Sequence, residues 1–262
     1  MAVISESIEL LGKGLYKNIP DQLTLTSIPT ASELDYVGSE DFDKVMLETI
    51  LPKAIEEDIP VKELLEIDYQ WICRCLRILN YGPYYTTNAI LCDECGQTSF
   101  GEYQVNLNTV ECKPLPEGFI NDIVISADEF IDFDKDIHIK LPTIQQMINA
   151  EKDKAFKQAD GKGNRELARI CYMISSIGGQ KDLTPVEKKM TVQGQLSSAD
   201  YIILREKVQE LTNYGLRAGG ATQCPKCGAM SAVYVALVDD KFFRPTMGDL
   251  RKWKNDRRSR KD

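Results

Sequence analysis

The sequence predicts an α+β protein: a β module assembled from two Cys-x-x-Cys-Gly turns, flanked by helices and interrupted by a helical insertion. Three observations predict it. Cys92-Asp93-Glu94-Cys95-Gly96 recurs as Cys224-Pro225-Lys226-Cys227-Gly228. Each copy follows an Asn-Tyr-Gly, at 80–82 and 213–215, with its first cysteine 11 and 10 residues beyond the tyrosine. Each precedes an apolar–polar alternation, Tyr103 to Leu107 and Val233 to Leu237, the period-two pattern of a half-buried strand. Helix, Asn-Tyr-Gly stop, strand, knuckle, strand is therefore an internal repeat.

The elements follow in order. Residues 1–40 begin with weak periodicity and contain Gly12, Gly14, Pro20 and Pro29, which predicts an extended arm that packs on something else or stays mobile. From Asp41 a helical pattern starts (Phe42, Val45, Met46, Thr49, Ile50), and Pro52 should kink or end it. Asp68 is placed to cap the next helix, with Trp71, Ile72, Cys75, Leu76 and Leu79 on one face and Asn80-Tyr81-Gly82-Pro83 as its stop. The first knuckle and its strands complete a segment 41–139, with a loop at 113–118 and two short strands within about 123–141.

A helical insertion is expected over 140–197. Thr143 caps a helix to about Gln158, Asp160 to Gly163 turns, and Asn164 caps another whose Leu167, Ile170, Cys171, Ile174 and Ile177 face inward until Gly178-Gly179. Thr184-Pro185 is a cap followed by proline in the first turn. The segment 198–245 holds a helix from Ser198 to about Asn213, with Ile202, Ile203, Val208 and Leu211 apolar, and the second knuckle. Residues 246–262 predict a basic docking helix capped by Thr246, with Met247, Leu250 and Trp253 on one face.

Composition narrows the function classes. The 262 residues include 40 acidic and 32 basic side chains, an ordinary globular balance. The longest apolar run, Ala232 to Val238, is far short of the ~20 residues that cross a bilayer. The start Met-Ala-Val-Ile-Ser-Glu lacks the basic and apolar blocks of a secretion signal, so a soluble protein of a reducing compartment is expected, with cysteines as thiols or metal ligands. The single histidine, His138, lies on the polar side of the alternation Ile137, Ile139, Leu141, which argues against Ser-His-Asp and Cys-His chemistry. Residues 251–262 carry seven basic and two acidic side chains, leaving a net −13 on the rest. Such a body repels phosphate backbones, whereas the tail suits an acidic partner.

The knuckles carry the chemistry. With eight cysteines and 17 glycines in the chain, chance would supply roughly 0.01–0.02 Cys-x-x-Cys-Gly motifs. Two intervening residues let both sulfurs face one ion at about 2.3 Å, and the following glycine permits a positive-φ turn. Each knuckle gives two ligands, so Cys92, Cys95, Cys224 and Cys227 would complete one tetrahedral four-cysteine zinc site in a zinc-ribbon-like module. The 128 residues between Cys95 and Cys224 far exceed a ribbon's usual ~15–20. Closing the longer loop costs about 2 kcal/mol more, whereas structural zinc contributes on the order of 10–16 kcal/mol. The other readings are knuckles that no longer bind metal, a thioredoxin-like redox pair, and an iron–sulfur cluster.

The remaining signals are weaker. Cys75 and Cys171 fall on apolar helix faces as core residues, and Cys73 and Cys112 also lack a knuckle partner. Gly12-Lys13-Gly14 and Gly161-Lys162-Gly163 lack the Lys-Ser/Thr ending of a phosphate loop. Asp128, Glu129, Asp132, Asp134 and Asp136 lack the register of a calcium loop and read as a solvated face, with divalent-metal catalysis the outside alternative.

The order of a helix ending near Tyr-Gly, a knuckle, Glu111-Cys-Lys-Pro-Leu-Pro-Glu-Gly-Phe119, a helical middle, a second knuckle and Phe242-Phe243-Arg244-Pro245 resembles the T4-type phage baseplate protein family. That family acts in building the baseplate hub of contractile tails. The resemblance spans about residues 60–250. It implies a non-enzymatic structural or assembly protein of the virion tail baseplate, or of the host cytoplasm during assembly. The implied partners are hub, wedge or tape-measure proteins, with self-association open and no membrane. The terminal arm and tail helix would order on assembly. The competing expectation is a zinc-ribbon nucleic-acid-binding regulator.

Overall fold

The computed structural model describes residues 4–28, 41–92, 94–96, 98–157, 164–217, 219–234 and 242–259. The chain opens with β1 (Ser5–Glu9) and β2 (Gln22–Thr26). Three helical pieces run on as α1 (Phe42–Val45), a wide π turn (Met46–Ile50) and α2 (Leu51–Ala54), and a long helix α3 (Glu66–Tyr81) comes next. Strands β3 (Tyr84–Leu91), β4 (Thr98–Asn106), β5 (Cys112–Lys113), β6 (Ile123–Ile125) and β7 (Ile137–Ile139) lead to α4 (Ile144–Lys152) and α5 (Arg165–Met173). After β8 (Ile174–Ile177) come α6 (Pro185–Gly194), α7 (Ser198–Thr212), β9 (Gly215–Leu216), β10 (Gly219–Gln223), β11 (Met230–Tyr234) and α8 (Met247–Ser259).

The protein is mixed α and β with small antiparallel sheets, and it divides into two units. One comprises Met1–Val61, Ile67–Lys113 and Gly215–Asp262, and the other comprises Lys62–Glu66 and Pro114–Tyr214. The helical stretch expected at 140–197 thus lies inside a longer body that carries its own three-stranded sheet, β6-β7-β8. In that body Ile125, Ile137, Ile139, Ile174 and Ile177 form the buried side of the sheet. Helix α5 ends at Met173, so Ile174 and Ile177 belong to a strand instead of the helix expected to reach Gly178. A three-residue apolar spacing fits a helix, but here a bulge opposite His138 and Ile139 lets the same spacing fit strand β8. Gly178 and Gly179, at φ 55° and 80°, turn the chain after that strand.

The capping signals at Thr143, Asn164 and Thr184 are kept in this unit, and Ser197 adds a cap not expected from the sequence. Thr143, Thr184 and Ser197 form capping boxes with Gln146, Glu187 and Asp200, and Asn164 accepts from Leu167 N. Each satisfies orphan amides of a first helical turn. Helix α4 stops at Lys152, short of the expected Gln158, because Asp153 turns to extended backbone and caps a short 3-10 turn, Lys154–Phe156. The turn expected at 160–163 lies outside the described residues. In α7 the buried apolar side chains are Leu204, Val208 and Leu211, whereas Ile202 is exposed.

The first unit holds the knuckles. The stretch expected to be an extended arm forms a hairpin, with Ser5 opposite Thr26 and Glu9 opposite Gln22. Ile8, Leu23 and Leu25 are buried, so the apolar side chains of Gln-Leu-Thr-Leu-Thr pack against their own body. Residues 29–40 lie outside the described residues. Asp68 does not cap its own helix: its buried carboxylate accepts from Leu11 N (2.6 Å), Gly12 N (3.1 Å) and the Tyr16 hydroxyl. Gly12-Lys13-Gly14 therefore turns around a carboxylate of the same chain. Pro52 continues the helix instead of ending it, because the wide turn just before it accommodates the missing N–H and the ring's clash with the preceding turn.

Helix α3 buries Ile72, Cys73, Cys75, Leu76 and Arg77, and Gly82 at φ 80° closes it by donating its N–H to Ile78 O at 2.9 Å. The fully buried guanidinium of Arg77 donates to three carbonyls: Phe242 O (2.7 Å), Gly82 O (2.9 Å) and Tyr84 O (2.7 Å). It thereby fixes the helix end, the start of β3 and the Phe242-Phe243 segment together. Helix α8 docks within the same unit. Asp249, 1% exposed, accepts from Thr246 N, Thr86 Oγ1 (2.8 Å) and Gln104 Nε2 (2.9 Å). Trp253 lies over Gly82, and Tyr84 donates to Asp256. The contact face runs through Asp249, Trp253 and Asp256, which leaves Met247, expected on it, 64% exposed.

No helix among the described residues is long and apolar enough to cross a membrane.

Candidate metal centre

The four-stranded sheet has the order β10-β11-β3-β4. Each knuckle is the tip of a hairpin, the first joining β3 to β4 and the second joining β10 to β11. The halves meet where β11 pairs with β3, at Ala232 opposite Leu91 and Val233 opposite Ile90. That pairing puts both tips at one end of the sheet, because β3 runs toward its knuckle and β11 runs away from its own.

Both tips turn alike. Gly96 N donates to Cys92 O at 2.8 Å and Gly228 N to Cys224 O at 2.9 Å, with the glycines at φ 63° and 77°. A side chain in that region would be strained, so glycine is the residue that lets a knuckle close. The second tip is further tied by Cys224 N to Ala229 O (2.7 Å) and Gln223 Nε2 to Gly228 O (3.0 Å).

The four sulfurs converge. Cys92 Sγ lies 3.5 Å from Cys227 Sγ, Cys95 Sγ lies 4.0 Å from Cys224 Sγ, and all four lie within 4.8 Å of one another. Thiolates placed tetrahedrally about 2.3 Å from one cation would stand roughly 3.8 Å apart, so the cluster matches a single ion with small adjustment. These four cysteines could hold a metal ion, and among the described residues no other such cluster occurs. The sequence-predicted ligands Cys92, Cys95, Cys224 and Cys227 are thus brought together from both halves.

The environment is graded. Cys92 and Cys224 are buried at 0% and 1% exposure, Cys95 is half-buried, and Cys227 is exposed. The backbone N–H groups of Cys227 and then Lys226 point at the Cys224 sulfur and hold its thiol below the usual range. The Ala229 N–H acts the same way on Cys227, but the crowding sulfurs of Cys92, Cys224 and Cys95 outweigh it and push that thiol up to about 11. Sulfurs packed this closely resist sharing negative charge unless a cation sits among them. Chemically, four sulfur donors fill a tetrahedral shell and suit a soft or borderline cation.

The other cysteines stay apart from this centre. Burial pushes Cys73 far up and Cys75 and Cys171 to about 12, as expected of core thiols. The acidic side chains Asp128, Glu129, Asp132, Asp134 and Asp136 are exposed, with Glu129 paired to Lys207 at 3.1 Å and Asp136 accepting from Ala127 N. His138 is half-exposed, its Nδ1 3.3 Å from Asp122 Oδ1.

Sequence reasoning missed Arg77, Asp249 and the new role of Asp68. Arg77 carried a signal: it falls on the buried face with Cys73 and Leu76, where a charged residue demands partners.

Comparison with known protein families, curated proteins and solved structures finds no match to this chain.

Proposed function

We propose that this chain is a non-enzymatic structural or assembly protein, stapled by one zinc on Cys92, Cys95, Cys224 and Cys227, that works through its protein surfaces in building a contractile phage tail baseplate hub. The observation that carries the reading is the convergence of four sulfurs within 4.8 Å from knuckles far apart in sequence. Zinc fits this donor set because it takes thiolates tetrahedrally and has no redox chemistry of its own. With all four positions taken by sulfur, no site is left for substrate, which favours a role in holding structure. The baseplate assignment rests on the motif order along residues 60–250.

In this reading the metal joins two hairpins into one sheet, and the protein presents that rigid body to hub, wedge or tape-measure partners. The terminal hairpin and α8 contribute as parts of the body, since both pack on their own chain. The test is co-expression with tail proteins followed by purification and metal analysis. Recovery of a zinc-containing complex supports the proposal, and a zinc-containing protein that captures none of them removes the hub assignment.

A second reading, a nucleic-acid-binding regulator, draws on exposed positive charge at the tail, namely Arg251 and Lys254 on α8. It requires binding whose affinity falls steeply with salt and is lost on removing residues 251–262.

A further inference from the structure

The four ligands are not equivalent. Cys92 and Cys224 are sealed, and Cys95 is half-buried. Cys227 is exposed, and so are its neighbours Pro225, Lys226 and Gly228. Of the four ligand residues Cys227 is therefore the one most open to a reagent in water, whereas reaching the buried Cys92 or Cys224 requires local opening. The exposed sulfur also sits in the turn farther along the chain, held by Gly228 N to Cys224 O and by Gln223, bonds local to that tip.

We propose that Cys227 is the exchange ligand of the centre, the sulfur that a small competing thiol displaces first and through which the cation enters and leaves. The inference rests on the metal reading above. In the exchange step, the incoming thiol forms a new sulfur–metal bond while the Cys227 sulfur–metal bond breaks. The proton of the incoming thiol passes to Cys227 Sγ, so charge and atoms balance without an oxidant. Cys92, Cys95 and Cys224 keep hold throughout, and the fold survives the exchange because β11 still pairs with β3.

Two measurements test this on the full-length, zinc-loaded protein. The first is labelling with limiting N-ethylmaleimide, read by peptide mass mapping. Among the four ligand cysteines, Cys227 should be modified on the order of tenfold or more ahead of the others, which wait on local opening. The second uses cobalt in place of zinc. Cys227→Ala should lose the four-thiolate absorption and regain it when 2-mercaptoethanol is supplied, whereas Cys224→Ala should show no such rescue because its place is sealed. Zinc-loaded protein in which Cys92, Cys95 or Cys224 reacts first, or in which all four react together, overturns the proposal and leaves the metal reading standing. Rescue of both alanine variants alike overturns it too. A chain that binds neither zinc nor cobalt sinks the metal reading itself.

Discussion

Gly82→Ala is the substitution whose consequence can be worked out most fully. Gly82 sits at φ 80°, where a side chain costs about 1–2 kcal/mol of backbone strain. A Cβ built there would lie 2.3–2.6 Å from the Trp253 ring, far inside van der Waals contact. The ring must retreat, and with it the α8 face that carries Asp249 and Asp256. Overpacking of this kind adds about 1–3 kcal/mol, for a total near 2–5 kcal/mol. Gly14→Ala is the control, since Gly14 has φ 75° and nothing within 4 Å of a Cβ, so it carries the strain without the collision. Urea unfolding of both variants, made in a Trp71→Phe background, leaves Trp253 as the emission reporter. Gly82→Ala should be the less stable by about 1–3 kcal/mol, with Trp253 emission shifted to the red. Equal losses in the two variants, with unchanged emission, would refute the packing of α8 over the end of α3.

Other expectations follow from single contacts. Arg77→Met strips three buried carbonyls of their donor and should cost about 2–4 kcal/mol in urea unfolding, while Arg77→Lys should recover only part of it. A loss under about 1 kcal/mol would remove Arg77 from its role. Thr184→Ala should cost about 1 kcal/mol by uncapping α6. Glu187 is held below its ordinary 4.5, first by the Thr184 hydroxyl and then by the Thr184 N–H. A lowered carboxylate stabilises above its unfolded value, so this support is present above about pH 4.5 and fades as pH falls through the lowered one. The gap between Thr184→Ala and the parent should therefore narrow in acid to what the Thr184 cap of Glu187 N alone contributes, and parallel curves would contradict the assignment.

Much of the four-cysteine cluster was legible because its information is local. Cys-x-x-Cys-Gly specifies a turn by itself, and two such turns leave four sulfurs with one economical destination. The caps at Thr143, Asn164 and Thr184 were legible for the same reason, since a cap lies within one turn of its target. What stayed hidden was decided across long sequence distances. Asp68 has the look of a helix cap, but the amides it satisfies belong to Leu11 and Gly12. The alternation of Leu23 and Leu25 could have announced β2, yet five residues cannot say whether they pair with Ser5–Glu9 or remain an arm. Ile174 and Ile177 fit two periods at once, and sheet pairing chose between them. The tail's helix was readable, whereas its seat on Gly82, Thr86 and Gln104 was not.

The central claim is that Cys92, Cys95, Cys224 and Cys227 grip one cation between two hairpins. Elemental analysis of the purified chain beside Cys92→Ser and Cys224→Ser tests it most directly. The parent should carry about one zinc per chain, and both variants, one from each knuckle, should lose nearly all of it. A metal-free parent, or variants that keep their full zinc, would contradict it.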